Sequence, residues 1–424
     1  MPSRRTYIAY ALAPIAIGLS FLLISRSHFQ NARAVPPTPS LDRDIETLRF
    51  RLQQHPDDAT PYIALAHLYA QKARETADTS YYSEIERLLG TVAKIDPRNG
   101  DVPALQASID AGRHDFRKSL ASALKAQALA PARPAYDGLV GDAELELGMY
   151  PEAIATFQAM VDKRPDFNSW SRIAYARELH GDAAGAIDAL EKAIGAGSGF
   201  AENTAWAYAE LGKLQARTSL EEAERSFERG LLIYPDHAPS LEGLGKAAFA
   251  RGNHAAARTF FERAFAALPI AQYATDLGEL AEARGDTKSA DQQFAVVNIT
   301  YEQSKAAGTD TDLEYALFLA DHGDPALALA KARTAKANRP NIHADDALAW
   351  AHYKAGDFAP ARIESSRALR LGENDPLIVF HAGMIAKANG AIPEARRLLE
   401  KALSIDPHFS IPYASAAREE LKRL

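Results

Sequence analysis

A metal site is the first chemistry that the sequence suggests, because four potential ligands cluster between residues 343 and 352. These are His343, Asp345, Asp346 and His352, and on a helix His343 and Asp346 share one face. None of the twelve histidines, however, stands four residues from another, the spacing that places two imidazoles on one metal. A polar helix start, whose dipole favours Asp345 or Asp346, accounts for the same residues. The sequence therefore predicts no metal site, and a metal-binding or ligand-binding role for this cluster is the weakest of three alternative functions.

Other patterns that could carry chemistry are incomplete. Asp310 to Glu314 alternates oxygen ligands as a calcium loop begins, but the glycine and the distal glutamate of such a loop are missing. Lys246 lies in GLGKAA, which lacks the first glycine and the hydroxyl residue of a phosphate-binding loop. Gly195 to Gly199 reads GAGSG, which is not the G-x-S-x-G order of a nucleophile elbow. The absence of cysteine excludes thiolate ligands and disulfides. We therefore expect no catalytic residue, no cofactor and no enzymatic activity.

Composition and charge restrict the partners of the chain. Its 424 residues, of which 47% are apolar and 24% charged, indicate a folded protein rather than a disordered one. This length exceeds one ordinary compact domain unless the chain stacks small units in one dimension. The net charge is −7, and because the first 34 residues hold four arginines and no acid, the remainder has 44 basic and 55 acidic side chains, or −11. This surplus of acid argues against a nucleic-acid partner.

An uncharged run near the N-terminus is long enough to cross a membrane. It covers 18 residues, Tyr7 to Ile24, which as a helix span about 27 Å, close to the roughly 30 Å hydrocarbon core of a bilayer. The flanking arginines weakly favour a retained, N-inside anchor. A signal peptide cleaved after Ala34 competes with it, as does an N-outside anchor with a cytoplasmic body. We predict a tail with an anchor or signal segment over residues 1–34, a stiff proline-rich spacer over 35–40, and the folded body over 41–424.

A repeat of 33 or 34 residues organises the body. A glycine is followed five residues later by alanine seven times, and Pro97, Pro131 and Pro165 share a 34-residue period. Each period contains two segments with apolar residues at helical spacing, split by a glycine turn and closed by a proline, which predicts helix, turn, helix. Small residues in the helices are expected to let phenylalanines pack closely between them. The seven pairs are Gly148 and Ala153, Gly181 and Ala186, Gly252 and Ala257, Gly285 and Ala290, Gly323 and Ala328, Gly356 and Ala361, and Gly390 and Ala395.

This order of residues resembles the tetratricopeptide repeat family, whose unit is a helix pair that stacks into a superhelical solenoid. The resemblance implies an all-α solenoid of about ten units from Ala59 to Pro407, with amphipathic capping segments before and after them. Extra residues at 72–82 and 298–310 are expected to lengthen helices or loops without breaking the stack. The clearest unit has as its signature Leu244, Gly245, Gly252, Ala257, Phe261, Ala264 and Pro269.

The resemblance also implies a binding surface, because fixed first-helix positions in this family line a concave groove for protein or peptide segments. The position where some members hold a partner's carboxylate lacks the residues of that clamp in this chain, so chaperone tails are not implied as ligands. In the clearer units it is occupied by Asp142, Tyr175, Lys246, Glu279, Leu317, Trp350 and Met384. In the C-terminal units the groove positions form an aromatic strip flanked by two lysines, although burial of the same rings between repeats is the alternative. The implied groove residues are Leu313, Leu317, His343, Asp346, Trp350, Tyr353, Lys354, Phe380, Met384 and Lys387.

The final three units further resemble the C-terminal part of a group of bacterial tetratricopeptide proteins that carry an N-terminal export signal. The leading hypothesis is therefore a scaffold that binds a protein or peptide in its groove during bacterial envelope assembly. The anchor over residues 7–24 would lie in the inner membrane with the body in the periplasm, and a cleaved periplasmic form is the alternative. The competing function is a non-catalytic accessory subunit of an envelope enzyme system, for polysaccharide or cytochrome maturation.

Overall fold

The body of the chain is a stack of helices. The structure, a computed structural model, describes residues 41–372 and 374–424, so the predicted anchor at 7–24 and spacer at 35–40 lie outside the described residues. The described residues form 22 α-helices and no β-strand. None of these helices is both long and apolar enough to cross a membrane. In chain order they are α1 (Leu41–Gln54), α2 (Ala59–Thr76), α3 (Ser80–Ile95), α4 (Asp101–Gly112), α5 (Phe116–Leu129), α6 (Pro134–Glu146), α7 (Tyr150–Lys163), α8 (Phe167–Leu179), α9 (Ala183–Ala196), α10 (Ala201–Ala216), α11 (Leu220–Ile233), α12 (Ala238–Ala250), α13 (His254–Ala267), α14 (Ala271–Ala283), α15 (Thr287–Ala306), α16 (Asp312–His322), α17 (Pro325–Asn338), α18 (Ile342–Lys354), α19 (Phe358–Ala368), α20 (Pro376–Ala388), α21 (Ile392–Ile405) and α22 (Tyr413–Arg423).

Helix pairs repeat along the body, as the sequence predicts. Ten pairs run from α2/α3 to α20/α21, and α1 and α22 flank them at the two ends of the described chain. The first helix of a pair contacts the first helix of the next, as α10 does α12 and α16 does α18, while successive second helices lie farther apart in the described residues. The stack therefore curves with its first helices inside, and we call the face that they form the inner surface. The predicted all-α superhelical solenoid is confirmed for the described residues.

Glycine turns separate the two helices of most pairs. Gly252 has a φ of 76°, a left-handed conformation that favours glycine, and it follows α12. The next residue, Asn253, caps α13 by accepting a hydrogen bond from the amide of Ala256 at 3.1 Å. Gly323 differs from the expected turn, because its φ is −138°. The linker that it shares with Asp324 between α16 and α17 is one residue shorter, so the chain needs no left-handed residue there.

Phenylalanines on second helices pack against glycines on first helices. A Cβ atom added to Gly245 would lie 2.4 Å from Cε1 of Phe261, and one added to Gly278 would lie 2.2 Å from Cε1 of Phe294. Any side chain at these glycines would therefore have to displace a packed ring. Phe261 and Ala257 are fully buried. The small residues of the repeat thus set the distance between the paired helices, as the sequence predicts.

The irregular units keep the stack intact. Helix α2 has 18 residues, α3 has 16 and α15 has 20, compared with 13 and 14 in the regular pair α12/α13. The extra residues thus extend helices, which is one of the two expected outcomes. Both predicted capping segments contain a helix, and α1 buries Ile45 against Leu65 and Tyr69 of α2.

Consecutive turns of the superhelix touch along a line of contacts that the repeat signature does not predict. Nε of Arg339, between α17 and α18, lies 2.8 Å from Oε2 of Glu146 at the end of α6. The hydroxyl of Tyr150 accepts a hydrogen bond from the backbone amide of Ile342 at 2.9 Å. These partners are 193 and 192 residues apart. The same kind of contact joins the α4–α5 turn to the α15–α16 segment and the end of α8 to the segment before α20. We call this line of contacts the seam.

Candidate functional site

The middle of the inner surface, on α12 and α14, is polar and internally paired. Nζ of Lys246 lies 2.5 Å from Oε1 of Glu242 and 3.8 Å from Oδ1 of Asp276. Burial raises the pKa of the Asp276 carboxyl to about 8. The nearby carboxylates of Glu242 and Glu279 also raise this pKa, whereas Lys246 lowers it. Lys246 is thus paired with the protein's own Glu242, although Oδ2 of Asp276 is buried without a hydrogen-bond partner within the described residues.

The C-terminal part of the inner surface carries the predicted aromatic strip, which we define as Trp350, Tyr353, Phe380 and Met384. Trp350 is 2% exposed, and its indole Nε1 donates a hydrogen bond to Oδ1 of Asp321 at 2.7 Å. The rings of Trp350 and Tyr353 stack with their centroids 4.7 Å apart, and the ring of Phe380 lies 6.2 Å from that of Trp350. These rings therefore form one continuous aromatic surface.

The end of the chain covers this strip. We call residues 406–424 the C-terminal segment. The ring of Tyr413 stacks on that of Phe380 at 4.8 Å and meets Trp350 edge-on at 5.8 Å. The Tyr413 hydroxyl donates a hydrogen bond to the same Asp321 carboxylate that Trp350 uses. A partner cannot reach Trp350 or Phe380 while this segment is in place.

The N-terminal part of the inner surface keeps a cavity of about 280 Å³. Helices α6, α8 and α10 form one side of this N-terminal cavity, and α2 reaches it from four pairs earlier in the chain through a contact between Arg74 and Glu202. The lining combines four aromatic rings, of which Tyr175 is exposed and Trp206 half-buried, with amide, hydroxyl and guanidinium groups. Its residues are Arg74, Asp142, Phe157, Phe167, Asn168, Ser171, Arg172, Tyr175, Asn203 and Trp206.

The two arginines of the N-terminal cavity are already neutralised by acids. Nε and Nη2 of Arg172 lie 2.8 and 2.7 Å from the two carboxylate oxygens of Asp142, a bidentate pair. Nε of Arg74 lies 2.7 Å from Oε2 of Glu202, and its guanidinium lies 5.6 Å from the ring centroid of Trp206. The cavity therefore offers aromatic faces and neutral polar groups rather than a net charge.

Neutral hydrogen-bonding groups remain at this cavity. The side-chain oxygen Oδ1 of Asn203 is buried and accepts no hydrogen bond within the described residues. Asn168 is exposed. The surrounding protein, and then the carboxylates of Glu146 and Glu178, raise the pKa of the Tyr175 phenol, so this hydroxyl stays protonated at neutral pH. An amide oxygen without a donor and a phenol at one cavity match the backbone groups of a peptide.

Comparison with known proteins identifies the repeats. The profile of the tetratricopeptide repeat matches residues 105–166, 141–201 and 202–271. Residues 105–271 are tetratricopeptide repeats. No curated protein matches the sequence. The narrower resemblance to an exported bacterial group of tetratricopeptide proteins finds no support in these matches and stays a prediction.

Solved tetratricopeptide and related structures resemble this protein only distantly. PilW, a widely conserved type IV pilus biogenesis factor, is 16% identical over 48% of this chain and 94% of its own, with a TM-score of 0.40. Yeast Tom70 is 16% identical over 90% of this chain and 93% of its own, at 0.38. The human IFIT1 dimer with m7Gppp-AAAA is 15% identical over 86% of each chain, at 0.49. At these values the similarity assigns no partner and no process to this protein.

The residues predicted for the tetratricopeptide groove do not form one open surface. Leu313 packs with Ala335 and Ala344 between repeats, and His343 lines a small cavity at the seam. Trp350 and Phe380 are buried, as the alternative interpretation of the sequence proposed. A role of the ten residues in binding a partner stays a prediction. The structure buries Leu313, Asp346, Trp350 and Phe380 and leaves half-buried Leu317, His343, Tyr353, Lys354, Met384 and Lys387.

Asp345, Asp346 and His352, three of the four residues considered above as metal ligands, each have another partner. Oδ1 of Asp345 pairs with Lys336 at 2.8 Å, and Asp346 lies 2.9 Å from Nδ1 of His381. Nδ1 of His352 lies 3.3 Å from Asp357. Within residues 41–372 and 374–424, no group of three or more histidine, aspartate or glutamate side chains is placed to hold a metal ion.

Sequence reasoning found only part of the N-terminal cavity. Tyr175 and Asp142 stand at a tetratricopeptide groove position, and carrying the other groove positions onto α8 would have added Asn168. Trp206 was missed because its unit lacks the glycine that marks the turn in other units. Arg74 had no signal at all, since nothing local in the sequence shows that α2 meets α10.

Proposed function

We propose that this protein is a non-catalytic scaffold that binds a segment of a partner protein at the N-terminal cavity of its inner surface. One observation carries the proposal: this cavity combines the exposed ring of Tyr175 and the half-buried ring of Trp206 with the unpartnered amide oxygen of Asn203. By contrast, Lys246 on α12 is paired with Glu242, and the aromatic strip is covered by Tyr413. Tetratricopeptide folds generally mediate protein–protein interactions, which agrees with this role.

Binding would use two kinds of contact at the cavity. Trp206 and Tyr175 would hold an apolar or aromatic side chain of the partner, the type of contact that dominates interface energies. Asn168 would bond to the partner's backbone directly. Asn203 would do so after its side-chain amide turns toward the cavity, and its oxygen would thereby gain the donor that it lacks. Because the helices that carry these residues are packed in the solenoid, little ordering of the protein would be needed on binding.

Replacing Trp206 with alanine is expected to weaken binding of the partner by about 30-fold, the effect of losing a central aromatic anchor. The partner is first captured in cells that naturally produce the protein, with a photoreactive residue at Tyr175 and, as a control, at the exposed Ile299 of α15. The affinity of the purified partner is then measured. Trp170→Ala is the matched variant, because its ring packs on α8 and α9 outside the cavity. Equal losses in both variants, or crosslinks only from Ile299, would contradict the proposal.

We also propose that residues 7–24 anchor the protein in a bacterial inner membrane, with the scaffold acting in envelope assembly from the periplasm. The uncharged run and its flanking arginines support this location. An alkaline phosphatase fused after Leu424 is then expected to be active in bacteria, because this enzyme requires an oxidising compartment. A cytoplasmic reporter at the same position serves as control, and its activity in place of the phosphatase would reverse the topology.

A further inference from the structure

The C-terminal segment runs along the inner surface over several repeats. Ile411 belongs to a buried cluster with Phe261 of α13 and Leu280 of α14. Two residues later, Tyr413 bonds to Asp321 at the end of α16. These partners lie far back in the chain, since Asp321 precedes Tyr413 by 92 residues. The segment therefore follows the path that a bound peptide would take, rather than only closing the last pair.

An ion pair fixes the far end of the segment. Lys387 of α20 pairs with Glu420 of α22, and this hydrogen bond lowers the pKa of the Glu420 carboxyl. Between Tyr413 and Glu420, α22 buries only Ala414 and Ala417 completely. A helix of 11 residues is marginal on its own in water, so α22 depends on these few contacts for its structure. We therefore expect the segment to open more easily than the helix pairs of the stack.

The helix at the other end of the stack shows what a plain cap requires. Helix α1 buries Ile45 and packs Leu41, Leu48 and Leu52 against the first repeat, so it covers apolar side chains with aliphatic ones. Helix α22 meets an aromatic strip beside two lysines with the aliphatic Leu421 and three alanines, as a cap would, but also with the phenol of Tyr413 and the carboxylate of Glu420. Aromatic surfaces with a few charged groups at their edge are typical of binding hot spots rather than of caps.

We propose that the C-terminal segment is a tethered mimic of a partner, and that the aromatic strip is a second binding site for a partner helix with the same chemistry. Such a helix begins with an aromatic residue, as at Tyr413, and carries a carboxylate seven residues later, as at Glu420. This second site depends on the proposed scaffold function in one respect only, namely that the ligand is a protein. Because a short tether holds its ligand at roughly millimolar effective concentration, the site opens only to a partner that competes well.

A labelled synthetic peptide of residues 406–424 tests the proposal on the full chain by fluorescence anisotropy. The peptide is expected to bind the Tyr413→Ala chain at least about tenfold more tightly than the wild-type chain, because the competing segment is weakened. A peptide that itself carries Tyr413→Ala is expected to bind neither chain measurably. Equal binding of both peptides to both chains would mean that the peptide binds elsewhere, and this result would overturn the proposal.

A charge exchange locates the site independently of Tyr413. The Lys387→Glu chain is expected to prefer a Glu420→Lys peptide over the natural peptide by about tenfold, whereas the wild-type chain prefers the natural one. If Tyr413→Ala melts the whole stack and the folded Lys387→Glu chain shows no preference, the segment is only a structural cap. Trp206→Ala serves as a control that should leave peptide binding unchanged, so failure at the N-terminal cavity is distinguishable from failure here.

Discussion

Replacing Trp350 with alanine is expected to lower the free energy of unfolding by about 3–5 kcal/mol, the usual cost of removing a large buried ring. The indole is 2% exposed and packs between Tyr353 and His381, whose ring centroids lie 4.7 and 4.0 Å away. The substitution also removes the donor that reaches Asp321 at 2.7 Å, so a half-buried carboxylate loses one partner. Urea denaturation followed by circular dichroism measures the loss.

Trp170→Ala is the matched control for Trp350→Ala. Trp170 is half-buried at the edge of the cluster between α8 and α9, where Nζ of Lys192 lies 4.9 Å from its ring centroid. Its replacement is expected to cost clearly less, because its ring is in contact with water in the folded state. If Trp350→Ala costs less than about 1 kcal/mol, the ring is not part of the core. The aromatic strip would then have to be an open binding surface.

Replacing Phe261 with alanine is expected to cost a similar 3–5 kcal/mol. Its ring is fully buried between the helices of one pair, and it lies so close to Gly245 that a Cβ there would be 2.4 Å from Cε1. Neighbouring helices cannot collapse onto the lost ring without changing the spacing of the pair, so a cavity remains. Denaturation midpoints and hydrogen exchange in α12 and α13 measure the effect.

Phe50→Ala provides the comparison for Phe261, because the side chain of Phe50 on α1 is 63% exposed. Its replacement is expected to change the free energy of unfolding by no more than about 0.5 kcal/mol. A Gly245→Ala substitution in the Phe261→Ala background should then be tolerated, although it clashes in the wild type. Additive losses in this double variant would show that the glycine and the ring do not share one space.

The helix pairs could be predicted from the sequence because their contacts are local. Gly245 and Phe261 belong to one unit, and their types and spacing recur wherever two helices of a pair must approach. Whether the ring of Trp350 is exposed or covered could not be predicted in this way. An inward-facing ring has the same helical spacing whether it is open or covered, and the residue that covers it, Tyr413, belongs to a segment without the repeat signature.

The N-terminal cavity and the seam escaped prediction for a different reason. Arg339 and Glu146 are ordinary surface charges by local criteria, and they meet only because small rotations between successive units accumulate over a full superhelical turn. Arg74 and Glu202 meet across the inner surface through the same accumulation. A repeat signature specifies each step of the superhelix, but a small error in every step changes which distant residues come into contact.

The seam changes how the superhelix responds to force and to ligands. A solenoid whose repeats touch only their neighbours behaves as a spring, which can stretch or tighten around whatever it holds. In this protein, stretching would break the Arg339–Glu146 pair and the Tyr150–Ile342 hydrogen bond. These contacts therefore hold adjacent coils together. The spacing between adjacent coils is accordingly fixed at these contacts. A ligand must therefore fit the inner surface in its present shape, because the coils cannot tighten around it without breaking the seam.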